Sequence, residues 1–246
     1  MTALVQILEE RLANAWPALD VRLADGWMLR FANGYSKRAN AASALLPGAV
    51  LDDALVDHIA DAYRARGLAT VFRLTGLEAA GADALLADLG FAEIEPTLAM
   101  IADLDGAHSP DPEVALAPGA DRSWIAAACG AYGGEKADTA GLEGIVARIV
   151  APAVFGTLTV EGQALAWGLA VAERGYVGLS NIVVHPEARG RGLGRRLVVG
   201  LLAWGAGAGA TRAYLQVRDT NAPAIALYRS LNFRDAYTYR HRVLRA

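Results

Sequence analysis

The sequence predicts an α+β fold: a mixed, mostly antiparallel, twisted sheet flanked by helices and built in two halves. Three observations predict it. The second half alternates strand-like and helix-like hydrophobic periods. Within it, an apolar strand ending in Val183-Val184 runs into a basic, glycine-rich turn and at once into an amphipathic helix. The first half carries an echo of the second. Leu86-Ala87-Asp88-Leu89-Gly90-Phe91 parallels Tyr228-Arg229-Ser230-Leu231-Asn232-Phe233, and each segment lies between a strand and a strand.

Composition bounds the answer. The 246 residues are 54% hydrophobic and 20% charged, which fits a globular chain with a sizeable core. Net charge is -3, so no general nucleic-acid footprint is expected, and the arginine cluster suits a small anion. Cys129 is the only cysteine. It excludes a disulfide within the chain and a cysteine-based zinc site. His58, His108, His185 and His241 are scattered without metal-ligand spacing, so no metal is expected. Residues 1–10 lack the pattern of a secretory signal, and no apolar run reaches membrane-spanning length. The expectation is a soluble, cytoplasmic protein with no membrane partner.

The elements follow in order. Trp27, Leu29 and Phe31 alternate with Met28 and Arg30, which reads as a strand with one core face. Polar and basic residues then gather around Gly34. A helix is expected over 53–66, a strand over 69–74, and the echo helix after it. Residues 103–118 read as a linker, with Asp105-Gly106, Ser109-Pro110-Asp111-Pro112 and Pro118-Gly119. It separates residues 1–104 from 114–246. The second half begins with helices over 121–131 and 141–150. Strands over 155–160 and 163–172 flank Glu161-Gly162, a type I′-like hairpin signal. A strand covers 176–184. The next helix, 192–205, sets Leu193, Leu197, Leu201 and Trp204 on one face. A strand covers 213–217. Asn221 can cap the following helix, Pro223 is tolerated near its start, and Asn232-Phe233 ends it. A last strand covers 237–244.

The glycine turn carries the chemistry. Glycines let successive backbone N–H groups converge on an anion, and a helix beginning there adds unpaired N–H groups and its positive dipole end. A dinucleotide fingerprint would place a third glycine at 195, which is Arg195, and a P-loop would end in Gly-Lys-Ser/Thr, which is absent. An ordinary strand–helix turn with solvated arginines is the plain alternative. Read as Arg189-x-x-Gly192-x-Gly194, the segment resembles the acetyl-CoA signature of the GCN5-related N-acetyltransferases. The order of elements in the second half resembles that family over its whole length.

The resemblance implies an acetyltransferase fold in two tandem copies, with acetyl-CoA as co-substrate. The turn of Arg189, Gly190, Arg191, Gly192, Leu193, Gly194 and Arg195 would hold the pyrophosphate, with the N–H groups of Arg191, Gly192, Gly194 and Arg195 as donors. The backbone of Ile182, Val183 and Val184 would splay from its neighbour and bind the pantetheine arm and acetyl carbonyl. Tyr228 would protonate the departing thiolate, and Asn221 would bond the pantetheine, cap its helix, or both. Many relatives carry a basic carboxylate on the strand before the signature. Here Gly178-Leu179-Ser180-Asn181 has none. Ser180 or Asn181 can order a water instead, and Glu135, Glu143 and Glu173 are alternatives that also read as surface acids. His185 reads as a strand-end residue and Cys129 as a buried apolar one.

In the first half, Leu45-Leu46-Pro47-Gly48-Ala49 stands where the signature would be, Leu86 where Tyr228 is, and Ala79 where Asn221 is. That half reads as a copy without a cofactor site, or as an unrelated cap. Arg30, Tyr35, Arg38 and Asn40 are either a solvated loop or the lining of an acceptor cleft. The expected acceptor is an amine of a small molecule or peptide that the sequence does not fix, and a homodimer through final-strand pairing is feasible. An acyl-CoA-binding sensor without turnover is the other class of answer.

Overall fold

The computed structural model describes residues 2–104, 109 and 111–244. Asp105, Gly106, His108 and Pro110 of the expected linker, and the side chain of Glu135, lie outside the described residues. The chain forms two compact units. One holds Met1–Ala99, Arg218–Thr220 and Ala236–Ala246, the other Met100–Val217 and Asn221–Asp235.

The first unit runs α1 (Thr2–Ala15), β1 (Asp20–Ala24), β2 (Trp27–Phe31), β3 (Ala42–Ala44), α2 (Asp53–Arg64), β4 (Thr70–Leu74), α3 (Ala82–Asp88) and the first part of β5 (Ala92–Asp103). β1–β2 and β2–β3 pair antiparallel, and β3–β4 pair parallel. Trp27, Leu29 and Phe31 do form the core face, joined there by Ile59, Tyr63, Phe72, Leu86 and Phe91. Phe72 meets Trp27 and Phe91 edge-on, at centroid distances of 5.6 and 5.4 Å, a geometry that favours aromatic pairs.

Arg30 and Asn40 correct the acceptor-cleft expectation. Arg30 is buried and its guanidinium donates to the carbonyls of Arg38 (2.6 Å) and Trp16. The Asn40 side chain accepts from Ala32 N–H (2.7 Å) and Gly34 N–H (3.0 Å) and donates to the carbonyls of Tyr35 (2.7 Å) and Ser36 (3.0 Å). Arg38 covers the Trp16 ring. Four bonds from one carboxamide hold the loop's own backbone, so these groups are structural.

The second unit holds β6 (Val114–Ala117), α4 (Arg122–Tyr132), α5 (Thr139–Val146), β7 (Ala153–Val160), β8 (Gln163–Glu173), β9 (Tyr176–Val184), α6 (Leu193–Gly207), β10 (Arg212–Arg218), α7 (Ala222–Arg229) and the start of β11 (Arg234–Leu244). The strand order is β10-β9-β8-β7-β6. Of the pairings β6–β7, β7–β8, β8–β9 and β9–β10, only β9–β10 is parallel. Glu161 (φ 50°) and Gly162 (φ 79°) both take positive φ, as the hairpin signal between β7 and β8 requires. α6 lies close on the sheet because glycines face it: a Cβ at Gly168 would come within 2.7 Å of Ile182 Cδ1 and 3.0 Å of Leu201 Cδ1.

Two findings depart from the sequence reading. The expected linker contains strand β6, whose four residues are too few for a period to register. The last strand pairs antiparallel with β4 of the first unit, from Arg240↔Leu74 to Leu244↔Thr70. β11 has β4 on one side and β5 on the other, so it offers no free edge for pairing across a dimer.

The echo has a physical counterpart. Phe91 N–H donates to Leu86 C=O at 2.9 Å and Phe233 N–H to Tyr228 C=O at 3.1 Å. Gly90 and Asn232 precede them with φ of 83° and 63°. Both helices thus close with the same left-handed, six-to-one cap.

Candidate active site

The site is built where β9 and β10 part. Their parallel ladder ends at Leu179↔Leu215, although β9 continues to Val184. A bulge accompanies the parting. Leu169 faces Ser180 and Trp167 faces Val183, which leaves Asn181 and Ile182 both opposite Gly168. Asn181 takes φ 53°. A bulge bends and twists its strand, so the backbone beyond it leaves the neighbouring ladder. Ile182, Val183 and Val184 fall in that stretch. The Tyr132 hydroxyl, at the end of α4, donates to the Ile182 carbonyl at 3.1 Å.

The turn follows directly. Pro186–Ala188 form one 3-10 turn, and Gly190 and Gly192 both take φ 77°. Gly192 is the N-cap of α6, with no side-chain cap and no acid in the first helical turn. Among the described residues, the N–H groups of Gly190, Arg191, Gly192, Leu193 and Gly194 donate to no backbone carbonyl. That set of open donors at a helix N-terminus fits a phosphate group. Arg195 departs from the expected donor set, because its N–H donates to Gly192 C=O at 3.1 Å.

The arginines divide by role. Arg189 turns back, donating through Nε to Val184 C=O (3.2 Å) and through Nη2 to Ala131 C=O (3.4 Å). It ties the turn to the strand end rather than facing the open donors. Arg196 is held by Asp111, at 2.6 and 2.9 Å, and by Glu113. Those carboxylates raise its pKa and keep it charged. Arg191 and Arg195 are exposed and make no ion pair among the described residues.

Tyr228 lies buried on α7, its ring 5.9 Å from Phe233. Burial, and then the neighbouring Tyr132, push its phenol pKa up. It therefore stays protonated throughout the neutral range, as a proton donor must. Its hydroxyl makes no hydrogen bond among the described residues. Asn221 caps α7, accepting from Ala224 N–H at 3.3 Å, so the capping half of its expected role is realised. Sequence reasoning missed Tyr132. It closes an alanine-rich helix with no motif around it, and only the fold brings it to Ile182.

The alternative bases stand elsewhere. Glu173 pairs with Arg174 at 3.2 Å, and Glu143 is exposed on α5. Cys129 is buried, with its thiol pKa pushed up by burial, and approaches Asp138 C=O at 3.7 Å. Ser180 Oγ and Asn181 Nδ2 are buried without a hydrogen-bond partner. Among the described residues no group of three His, Cys, Asp or Glu could hold a metal ion, and no helix is long and apolar enough to cross a membrane.

Comparison with known proteins agrees with this geometry. The family described as "Probable histone acetyltransferase Rv0428c C-terminal" matches residues 2–242. The chain is 32% identical over 247 residues to the "Probable histone acetyltransferase Rv0428c" of Mycobacterium tuberculosis, covering 95% of this chain and 72% of that protein. It is 29% identical over 244 residues to the "Uncharacterized N-acetyltransferase YobR" of Bacillus subtilis, covering 96% and 97%. A GCN5-related N-acetyltransferase from Kribbella flavida shares the fold, with a TM-score of 0.70 at 18% identity over 100% of this chain and 95% of that one. An open helix N-terminus beside a parting strand pair, in a chain matched over nearly its full length, makes this protein a member of the Rv0428c C-terminal family of GCN5-related N-acetyltransferases.

Proposed function

We propose that this acetyltransferase moves an acetyl group from acetyl-CoA to an amine of a small molecule or peptide, by direct attack, in its second unit. The observation that carries the reading is the open N-terminus of α6, with five unpaired N–H groups beside the parted end of β9. Acetyl-CoA supplies the acetyl thioester. The Gly190–Gly194 backbone binds the pyrophosphate, helped by Arg191 and Arg195. The backbone of Ile182, Val183 and Val184, beyond the end of the ladder to β10, orients the pantetheine and the acetyl carbonyl, where an N–H also favours developing negative charge. Tyr132 and Arg189 hold that backbone in place through the carbonyls of Ile182 and Val184. Tyr228 gives its proton to the departing thiolate. The thiolate is the conjugate base of a thiol of pKa ~8.5, so transfer from a phenol of higher pKa is uphill taken alone, and it goes to completion as solvent returns a proton to the Tyr228 phenolate.

The first unit is read as a second acetyltransferase-like copy without a cofactor site. Its order, β1-β2-β3-α2-β4-α3-β5, repeats β7-β8-β9-α6-β10-α7-β11, with antiparallel, antiparallel and parallel pairing in each set of four strands. The shared helix cap supports the same reading.

Isothermal titration with acetyl-CoA tests the proposal. Micromolar binding by the wild type, lost in the Gly192→Glu/Gly194→Glu double variant, is expected. No binding by the wild type would reduce the glycine turn to a strand–helix connection.

A further inference from the structure

We propose that β1 is a self-pairing edge, on which a second copy of this chain docks antiparallel about a two-fold axis at Val21. The claim uses residues of the first unit alone and stands apart from the acetylation reading above.

β1 ends the strand order, with β2 as its one neighbour. Asp20, Val21, Arg22 and Leu23 are all exposed, Val21 by 49% and Leu23 by 69%. Asp25 and Gly26 take φ of 43° and 85°, a two-residue hairpin turn between Ala24 and Trp27. Such a turn closes on a hydrogen-bonded pair, so Ala24, Arg22 and Asp20 exchange bonds with β2. The intervening Leu23 and Val21 then direct their N–H and C=O groups to the open side. Natural edges of this kind are usually guarded by lysine, proline or a covering segment. β1 instead has apolar side chains at 21 and 23, and one charge of each sign at 20 and 22.

The charges select the register. Asp20 and Arg22 share a face, opposite Phe31 and Leu29 of β2. Arg66 holds the Asp20 carboxylate at 2.5 Å, while Arg22 makes no ion pair among the described residues. Pairing about Val21 sets Asp20 of each copy directly across from Arg22 of the other, a favourable cross-strand pair made twice. The two Val21 residues then form a hydrogen-bonded pair, N–H to C=O in both directions, as their outward backbone allows. Their side chains meet on the other face. Pairing about Arg22 would set two guanidiniums directly opposite, which is destabilising. One five-residue strand buries less than the ~1,200 Å² of a stable interface, so the dimer is weak and concentration-dependent.

Sedimentation equilibrium of the full chain decides the claim. The apparent mass is expected to rise from 25.8 kDa toward twice that value between ~1 and ~300 µM. Val21→Pro removes only an outward N–H, where an edge strand tolerates proline, and should weaken the dimer about tenfold with the thermal midpoint nearly unchanged. Arg22→Glu and Asp20→Arg each set like charges across the axis, so each alone should stay monomeric. Mixed in equal amounts, the two variants restore an opposite-charge pair at both positions, and the dimer should return and weaken with added salt. Should Asp20→Arg fail to fold without its bond to Arg66, the loss of the dimer in Arg22→Glu still decides. A wild type that stays monomeric, or a mass that grows past the dimer, overturns the proposal. A dimer untouched by Val21→Pro or by Arg22→Glu does the same.

Discussion

Helix α2 follows β3 and helix α6 follows β9, yet their N-termini are finished in opposite ways. At α2, Asp52 caps the helix, its carboxylate accepting from Leu55 N–H at 2.8 Å, and Asp53 opens the first turn. Gly48 N–H is taken by Leu77 C=O at 2.7 Å. At α6, Gly192 caps without a side chain, and five consecutive N–H groups stay open. One helix carries its own anion and the other leaves that seat empty. The dipole and the unpaired N–H groups are the same in both, so the capping residue decides whether a phosphate has room. Two helices that each follow a strand of a like-paired set therefore need not carry the same site.

The largest effect should come from the residue that α3 lacks. Leu86 stands where α7 has Tyr228. Tyr228→Phe is expected to lower kcat about a hundredfold with acetyl-CoA affinity unchanged, since a positioned acid contributes about that much. Steady-state kinetics beside titration check it. A parallel loss of affinity would make Tyr228 a packing residue.

Converting α6 to the α2 solution sharpens the comparison next. Gly192→Asp places a carboxylate at the cap and tolerates positive φ better than most residues. Acetyl-CoA affinity should fall about thirtyfold, close to 2 kcal/mol, with the thermal midpoint nearly unchanged. Retained affinity would mean the phosphate sits elsewhere.

The first unit is expected to answer to pH. His241 is buried on β11, and burial, then Arg73, Lys37, Arg38 and Arg218, lower its pKa to about 3. The unfolded value lies near ~6.5. The fold thus favours the neutral ring, and the unfolded chain gains a proton first as pH falls. Stability from this group is complete above pH ~6.5 and declines below it. Thermal unfolding of wild type and His241→Gln should diverge less at pH ~4 than at pH ~7. A constant gap would overturn this.

The smallest effect separates the arginines. Arg196→Gln should leave acetyl-CoA affinity within about twofold, because Asp111 and Glu113 already hold that guanidinium. Arg195→Gln should cost about three- to tenfold through a lost exposed charge. The reverse ranking would move the phosphate toward Asp111.

Much of the second unit was legible because its signals are local. Strand 176–184, the Glu161-Gly162 hairpin and the helix after Gly192 each follow from alternation, turn residues or a cap within a few positions. β6 escaped because four residues carry too little pattern. Tyr132 escaped because nothing local marks a residue whose partner is fifty positions away. Arg189 opens the glycine turn and Arg195 lies in the first turn of α6, and the side-chain direction of one and the N–H partner of the other depend on the folded backbone.

By itself, the sequence determined the fold class, the position of the glycine turn and the absence of a carboxylate on β9, because glycines, periodicity and residue identity act along the chain. Only the tertiary structure decided that β11 joins β4, that Asn40 holds a loop, and that β9 bulges opposite Gly168 and parts from β10. Those outcomes depend on which strands meet and how closely their side chains pack, and such contacts join residues that the sequence leaves far apart.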